Sequence, residues 1–455
     1  MKRIAVINVV GLTQSVLEAS THIRAFAASG ARASIAPAFP AVTCTAQSTY
    51  LTGLTPAQHG IVGNGWYDRT LSEVQFWKQS NKLVAGAKIW EDLRRDNPHF
   101  TCAKVFWWYN MYSSADFSLT PRPMYPADGR KVFDIYTHPA SIRTEIKKEL
   151  GEFPFPSFWG PLAGIKSSQW IAESAKWIER RHQPTLNLIY LPHLDYNLQR
   201  LGPNHPDIAK DIAQIDAVVG DLISFFNKQS VEVVLLSEYG ITEVNHPIHL
   251  NRLFRDKGWI TIREELGLEL LDCGASRVFA VADHQVAHIY LNDPSLTNEV
   301  RALVEKQAGV EKVLATAEQT SLGINHARSG DLIAVADASS WFTYYYWLDD
   351  SRAPDFARCV DIHRKPGYDP AELFIDPELA FPKLKIATTL LRKKLGFRTL
   401  MNLIPLDATL VKGSHGRIPD VADYPLFITQ TPAASLPKII QAVDVNRILR
   451  SSVLA

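Results

Sequence analysis

Short apolar runs alternate with helical patterns along the chain, and this alternation constrains the fold more than any other feature. The runs cover residues 4–10, 101–107, 186–191 and 231–236. Apolar runs of this length between helical stretches are typical of parallel strands buried on both faces of a sheet. Polar residues just after such strands are candidates for a functional site, because ligands bind beyond the carboxyl ends of parallel strands.

Residues 40–60 predict a helix that begins with a hydroxyl side chain. A proline-led extended stretch precedes Thr43 and Thr45, and Thr52-Gly53 ends the helical pattern. The first N–H groups of a helix have no partner inside the helix, so such a start attracts phosphate. From this local pattern alone, a threonine is more often a helix cap than a nucleophile.

The wider chain resembles the alkaline phosphatase superfamily, in particular its type I phosphodiesterase/nucleotide pyrophosphatase and phosphonoacetate hydrolase branches. In these families a threonine opens a helix that ends in Thr-Gly, and a Pro-x-x-His-Gly turn follows, as at residues 56–60. The resemblance implies an α/β fold with a mostly parallel central sheet flanked by helices. It also implies Thr43 as the nucleophile, with Thr45 as the alternative.

The same resemblance implies two adjacent metal ions, usually zinc, which would activate the nucleophile and then water. Three of the six expected side-chain ligands are present, one of them as a longer acid: Asp195, His415 and Glu238. The other three positions are replaced by Val10, Gln199 and Tyr239. A complete binuclear zinc site is therefore not expected.

Other side chains could complete a metal site that has fewer of the expected ligands. Asn8 lies two residues before Val10, on the same face of the first strand. Gln199, Tyr239 and the loop residue His363 are further candidates to contact a metal or a substrate, although His363 could equally seal the edge of the domain. Oxygen donors in place of imidazoles suit magnesium or manganese as well as zinc. We therefore expect one or two divalent ions.

Composition and charge exclude several classes of partner. The net charge of +1 and the pI of about 7.7 give no electrostatic case for a nucleic-acid polymer or an anionic membrane as the main partner. The apolar run after Met1 is too short for a secretory signal, and no later run has the length of a membrane span, which predicts a cytoplasmic protein. The aromatic content permits a homodimer.

The domain organisation follows from one irregular segment. Residues 110–165 are rich in proline, glycine and aromatic residues, which predicts a cap over the site rather than part of the sheet. The catalytic core would then be discontinuous, with residues 1–109 and 166–455. A second irregular region, residues 276–374, contains two strand-like runs and an aromatic block that we expect to be core.

Together these features predict a metal-dependent hydrolase of phosphate diesters, pyrophosphates or related small phosphoryl compounds, acting through a threonine nucleophile. One alternative keeps the fold and changes the substrate to a phosphonate or a phosphomonoester. Another is a ligand-binding pseudoenzyme that has lost its metals and its turnover.

Overall fold

The computed structural model describes residues 1–430 and 436–455. Its strands in chain order are β1 (Ile4–Val9), β2 (Ala31–Ala36), β3 (Gly65–Asp68), β4 (Glu73–Phe76), β5 (Cys102–Val105), β6 (Phe117–Pro121), β7 (Ile135–His138), β8 (Leu186–Leu191), β9 (Glu232–Leu236), β10 (Thr242–Glu243), β11 (His246–Ile248), β12 (Thr261–Glu265), β13 (Leu268–Asp272), β14 (Val278–Asp283), β15 (Val286–Leu291), β16 (Val310–Leu314), β17 (Leu332–Ala336), β18 (Ser340–Phe342), β19 (Gly413–Ser414), β20 (Leu426–Thr429) and β21 (Ile439–Gln441).

The helices in chain order are α1 (Gln14–Ala19), α2 (His22–Ala28), α3 (Thr43–Thr52), α4 (Pro56–His59), α5 (Ile89–Asp96), α6 (Ser141–Leu150), α7 (Ile165–His182), α8 (His193–Leu201), α9 (Ile208–Lys228), α10 (Leu250–Asp256), α11 (Thr297–Val304), α12 (Thr316–Ser321), α13 (Pro382–Lys394) and α14 (Asp444–Leu454). Within the described residues, no helix combines the length and the apolar character that crossing a membrane requires.

The central sheet of the described chain has nine strands, in the order β21-β2-β20-β9-β1-β8-β5-β6-β7. Its middle strands, from β9 through β1, β8 and β5 to β6, are all parallel. Every residue of β1 and β8 is buried, because helices such as α7 and α9 pack against this part of the sheet. The predicted mostly parallel sheet flanked by helices is thus confirmed.

The segment of residues 110–165 differs from the prediction. We expected it to be too irregular for the sheet, but β6 and β7 extend the central sheet, and Leu119 and Ile135 join its core. The two strands are short and lie among prolines, which hid them in the sequence, and β7 needs only alternate burial because it is an edge strand. Other residues of the segment, including Tyr125 and Trp159, do line the large cavity described below.

A second sheet, in the order β14-β15-β17-β16, builds a separate apolar core that includes the aromatic block of residues 341–347. His288 lies in β15, fully buried. Its Nε2 donates to the carbonyl of Val62 at 3.0 Å, and its Nδ1 accepts from the amide of Gly330 at 3.0 Å. The expectation that the aromatic block of this region is core is confirmed.

Candidate active site

A cavity of about 880 Å³ opens beyond the carboxyl ends of the middle strands. Thr43, Asp195, Tyr239 and His284 are among the residues that line it. Thr43 follows β2 along the chain, Asp195 lies in the first turn of α8 just after β8, and Tyr239 follows β9. The parallel sheet therefore brings together side chains that are distant in sequence.

Helix α3 places the Thr43 hydroxyl at the cavity. The helix runs from Thr43 to Thr52, and Gly53 ends it in the left-handed region at a φ of 69°. Thr43 is 4% exposed, and its Oγ1 lies 3.0 Å from the hydroxyl of Tyr239. This is the helix start that the sequence predicted.

Thr45, the alternative nucleophile, is turned into the protein. It is fully buried, and its hydroxyl donates to the carbonyl of Ile61 at 3.1 Å. Between the two threonines, the amide of Cys44 donates to Oδ1 of Asn64 at 3.0 Å. Thr43 is therefore the better placed of the two hydroxyls to meet a ligand.

A chain of hydrogen bonds runs from Thr43 to a carboxyl group. The Tyr239 hydroxyl donates to Oδ1 of Asp195 at 3.4 Å. Because a phenol has one proton to donate, Thr43 must then donate to the Tyr239 oxygen. Burial raises the pKa of Asp195 to about 7 and raises the pKa of Tyr239 well above its ordinary value. At neutral pH, Asp195 can therefore accept a proton from Tyr239 while Tyr239 takes one from Thr43.

His415 anchors the chain segment that leads to Thr43. Its Nδ1 lies 2.7 Å from the carbonyl of Ala41, which can only accept, so Nδ1 carries the proton. Burial holds the pKa of His415 well below its ordinary value, which keeps the ring neutral. Its Nε2 has no hydrogen-bond partner in the described structure and lies 3.9 Å from Oδ1 of Asp195.

Glycine at position 413 permits this approach of the His415 loop to helix α8. A Cβ atom built on Gly413 would lie 2.0 Å from the carbonyl oxygen of Leu198. Since that oxygen belongs to the backbone of α8, which also holds Asp195, any larger residue would push the two segments apart. The glycine thus keeps Asp195 and His415 close.

Four rings stack in a column beside the cavity. Neighbouring centroids lie 3.5 Å apart between Tyr239 and His415, 3.8 Å between His415 and His284, and 3.6 Å between His284 and Tyr368. We refer to these four residues as the ring column. At the far end of the column, the Tyr368 hydroxyl donates to Oε1 of Gln199 at 2.8 Å, so Gln199 positions the Tyr368 ring.

Sequence reasoning missed Asp283, His284 and Asn64. Oδ2 of Asp283 accepts from the Asn64 amide at 2.7 Å, and its Oδ1 lies 2.8 Å from Nδ1 of His284. Burial raises the pKa of Asp283 to about 6. The adjacent Asp-His pair at the end of a strand was the available signal.

Glu238 lies in a separate polar cluster at the end of β9. Its Oε1 accepts from the side-chain amides of Asn8 at 2.6 Å and Gln47 at 2.5 Å. Its Oε2 is buried with no partner in the described structure, and burial raises the pKa of Glu238 to about 8. At neutral pH this carboxyl group is mostly protonated, so Oε2 can act as a hydrogen-bond donor.

The donor set does not fit the binuclear metal site that the resemblance implied. Asp195, Glu238 and His415 were the predicted ligands, but no three His, Cys, Asp or Glu side chains among the described residues converge on a common point. Asn8 was a further candidate, and its amide instead donates to Glu238. The Tyr239 hydroxyl lies between Thr43 and Asp195.

His363 lies in the outer wall of the cavity, where its Nδ1 is 3.4 Å from the carbonyl of Phe76. Cationic side chains share this wall: Lys78, Arg122, Lys131 and Arg364. Aromatic rings also line the cavity, including Trp77 and Trp108 with centroids 4.9 Å apart. The cavity suits a small anion that carries an apolar or aromatic group.

The raised pKa of Glu238 predicts a cost in stability. A carboxyl group whose pKa rises from 4.5 unfolded to about 8 folded binds its proton more tightly in the folded state, so the free energy of unfolding falls as pH rises through this window. We expect Glu238→Gln to be more stable than the parent at pH 8, by a margin that shrinks toward pH 5 with a slope of up to about 1.4 kcal/mol per pH unit.

Urea unfolding at a series of pH values measures this margin. The exposed Glu299→Gln is the matched control, and its stability should follow that of the parent at every pH. A Glu238→Gln margin that did not vary with pH would contradict the assignment of a protonated Glu238.

Comparison with known proteins gives a consistent result. The model of the type I phosphodiesterase / nucleotide pyrophosphatase family matches residues 4–369. An uncharacterized pyrophosphatase/phosphodiesterase of Schizosaccharomyces pombe is 26% identical over 230 residues, which is 48% of this chain and 40% of the relative. The match thus spans less than half of that relative's length.

Two solved structures share the fold. Murine ectonucleotide pyrophosphatase/phosphodiesterase 5, solved as an inactive variant with AMP, aligns with a TM-score of 0.59 at 14% identity and covers 100% of this chain and 95% of its own. Phosphonoacetate hydrolase from Sinorhizobium meliloti, in complex with phosphonoacetate, aligns with a TM-score of 0.64 at 13% identity, covering 99% and 96%. The family match and the fold together confirm the resemblance inferred from the sequence. The chain belongs to the type I phosphodiesterase/nucleotide pyrophosphatase family, with an alkaline-phosphatase-like fold.

Proposed function

We propose that this protein hydrolyses a small organic phosphate, as an ester or a pyrophosphate, with Thr43 as the nucleophile. The observation that carries the proposal is the position of the Thr43 hydroxyl. It lies at the start of a helix, on a cavity, and 3.0 Å from a phenol that leads to a carboxyl group. Family membership supports the reaction class.

In the first step, Oγ1 of Thr43 attacks phosphorus while the bond from phosphorus to the leaving oxygen breaks. The threonine proton passes to the Tyr239 oxygen as the Tyr239 proton passes to Asp195, and the leaving group departs with a proton from solvent or from Asp195. Water then attacks the phosphothreonine, which frees phosphate and returns the proton to Oγ1. The phenol only transfers a proton, so its raised pKa keeps it in the required form.

Charge on the phosphoryl group needs donors. In the first turn of α3 the Cys44 amide already donates to Asn64, which leaves the amides of Thr43 and Thr45 for the phosphoryl group, and protonated Glu238 provides an O–H group near Thr43. Two carboxyl groups with different environments can thus play different roles, with Asp195 as proton acceptor and Glu238 as donor. No step of this scheme passes through a metal ion, since the donor set does not fit one.

The substrate class follows from the cavity walls. Rings including Trp77 and Trp108 can stack an aromatic leaving group, and the outer cations can hold a second negative charge. The murine protein of the same fold was solved in complex with AMP, which supports a nucleotide or another aryl phosphate as the substrate here.

The direct test measures release of nitrophenol from bis-p-nitrophenyl phosphate, with the monoester and an aryl phosphonate as further substrates. Each assay is run with a chelator and with added zinc, magnesium or manganese. We expect hydrolysis that persists in the chelator. Activity that appears only with a divalent ion would contradict the metal-free scheme. It would show that zinc, or a harder ion such as magnesium or manganese, takes part in the reaction.

The pH profile provides a second test. As pH rises, kcat/KM should increase while Asp195 loses its proton at about 7 and should decrease while Glu238 loses its own at about 8. The result is a narrow bell with its maximum between these values. In Glu238→Gln the alkaline limb should disappear while the acid limb stays in place. A profile with an alkaline limb that survives this substitution would contradict the role of Glu238.

A second candidate function is ligand binding without turnover. It is favoured by Val10, Gln199 and Tyr239, which occupy three positions where the family resemblance expects metal ligands. Isothermal titration with AMP discriminates the two. Binding of AMP together with no hydrolysis of any substrate in any metal would establish this candidate in place of the hydrolase.

A further inference from the structure

Helix α13 and the residues after it form an apolar surface exposed to solvent. Seven large apolar side chains between residues 381 and 400 are each at least half exposed. They are Phe381, Leu384, Leu390, Leu391, Leu395, Phe397 and Leu400. Single exposed apolar side chains are common on proteins, but a continuous set of this size marks an interaction surface. We refer to residues 381–400 as the basic apolar segment.

The apolar side chains are ordered by the helix. Leu384, Leu391 and Leu395 are spaced by seven and four residues, which places them on one stripe. Thr389 lies on the other side of the helix and is only 9% exposed, so it faces the protein. The leucine stripe therefore points away from the rest of the molecule, and all three leucines are more than half exposed.

Cations border this stripe on both sides. At 100° per residue, Lys385 and Arg392 lie along one edge, and Lys383 and Lys394 lie along the other. Lys383, Arg392 and Lys394 are exposed, and Lys385 is half-buried. Lys393 and Arg398 bring the number of basic residues in the segment to six, and residues 379–406 contain no aspartate or glutamate. Among the described residues, these six cations form no ion pair.

This arrangement matches one kind of occupant. The two rows of cations repel a second copy of the same segment, which argues against self-association through the stripe. An anionic lipid surface satisfies both features, because leucines can enter the boundary of the acyl chains while lysine and arginine extend their charges to the headgroups. Each cation near such a surface adds to the attraction.

We propose that the basic apolar segment docks this protein on the surface of an anionic lipid bilayer. The helix lies in the plane of the interface and does not cross it. The sequence prediction excluded an anionic membrane as the main partner because the net charge of the whole chain is +1. That sum averages the six local cations against acidic residues elsewhere, so it cannot detect a local basic surface.

Sedimentation with vesicles tests the proposal on the full chain. One vesicle population contains phosphatidylcholine and phosphatidylglycerol, and the other contains phosphatidylcholine alone. We expect binding to the anionic vesicles, at least about tenfold weaker binding to the neutral ones, and weakening of the former as salt is added. Equal binding to both populations, or no binding to the anionic one, would overturn the proposal.

Variants separate this segment from the rest of the surface. Leu384→Glu/Leu391→Glu should reduce binding to anionic vesicles about tenfold or more, because both leucines would enter the interface. Leu266→Glu is the matched control, since Leu266 is a fully exposed leucine at the tip of the β12–β13 hairpin, and it should bind as the parent does. Both sites are exposed, so the variants should unfold like the parent.

Two further results would contradict the assignment of the leucine stripe to a lipid surface. Sedimentation velocity that gives a dimer of the parent and a monomer of the double leucine variant would assign the stripe to a second copy. Unchanged vesicle binding by the double variant would place the lipid contact elsewhere. Neither readout uses hydrolysis, so the outcome is independent of the proposed function.

Discussion

Thr43→Ala should lower kcat for bis-p-nitrophenyl phosphate by at least about 10³-fold, because the hydroxyl that forms the covalent intermediate is absent. The fold should survive, since the side chain lies at a cavity and the substitution removes only a small polar group that contacts Tyr239. Thr43→Ser keeps the nucleophile and should recover a large share of the lost rate. Steady-state kinetics at the pH optimum, together with the melting temperature of each variant, give the two readouts.

The neighbouring threonine is the matched control. Thr45→Ala removes a buried hydroxyl that donates to the Ile61 carbonyl, so it should cost about 1–3 kcal/mol of stability and leave kcat within a few fold of the parent. Full activity in Thr43→Ala, or loss of activity in Thr45→Ala with the fold intact, would contradict the assignment of Thr43 as the nucleophile. Trapping of phosphate on Thr43 by mass spectrometry after an acid quench would support the assignment directly.

Lys365→Met should have the largest effect on stability, a loss of about 3–5 kcal/mol in the free energy of unfolding. Nζ of Lys365 lies 2.7 Å from Oδ2 of Asp369 and 2.7 Å from Oε1 of Glu372, and all three side chains are at most 2% exposed. Removing the cation leaves two buried carboxyl groups facing each other without a counter-charge.

Urea unfolding of the full chain measures this loss. Lys383→Met is the matched control, because Lys383 is exposed on α13, and its stability should stay within about 0.5 kcal/mol of the parent. The triple variant Lys365→Met/Asp369→Asn/Glu372→Gln should recover part of the loss, since it removes the buried charges as well as the cation. If Lys365→Met were as stable as Lys383→Met, the buried ion cluster would not contribute as described.

The parts of the fold that the sequence predicted are those with a local signal. Each of β1, β5, β8 and β9 is apolar except for one polar or charged residue, and α3 has a marked start and a glycine stop. Strands β6 and β7 lack such a signal. Their place in the sheet depends on pairing with β5, a contact between distant segments that composition does not report.

The candidate site divides in the same way. Thr43 could be found because it sits at the start of a helix with a recognisable pattern. The roles of Tyr239 and Gln199 could not, since a lost ligand position gives no information about what the new side chain contacts. His284 reaches the site only because the second sheet packs against the loop of His415, so no local sequence pattern predicts that His284 belongs to the site.

The ring column has a consequence for how the site is assembled. Its four members come from four separate segments of the chain. Tyr239 follows β9, His415 follows β19, His284 lies in the turn between β14 and β15, and Tyr368 lies between Lys365 and Glu372 of the buried ion cluster. Both apolar cores must therefore be complete before the rings can stack. The chain should therefore gain its binding competence in the same cooperative transition that closes its two cores.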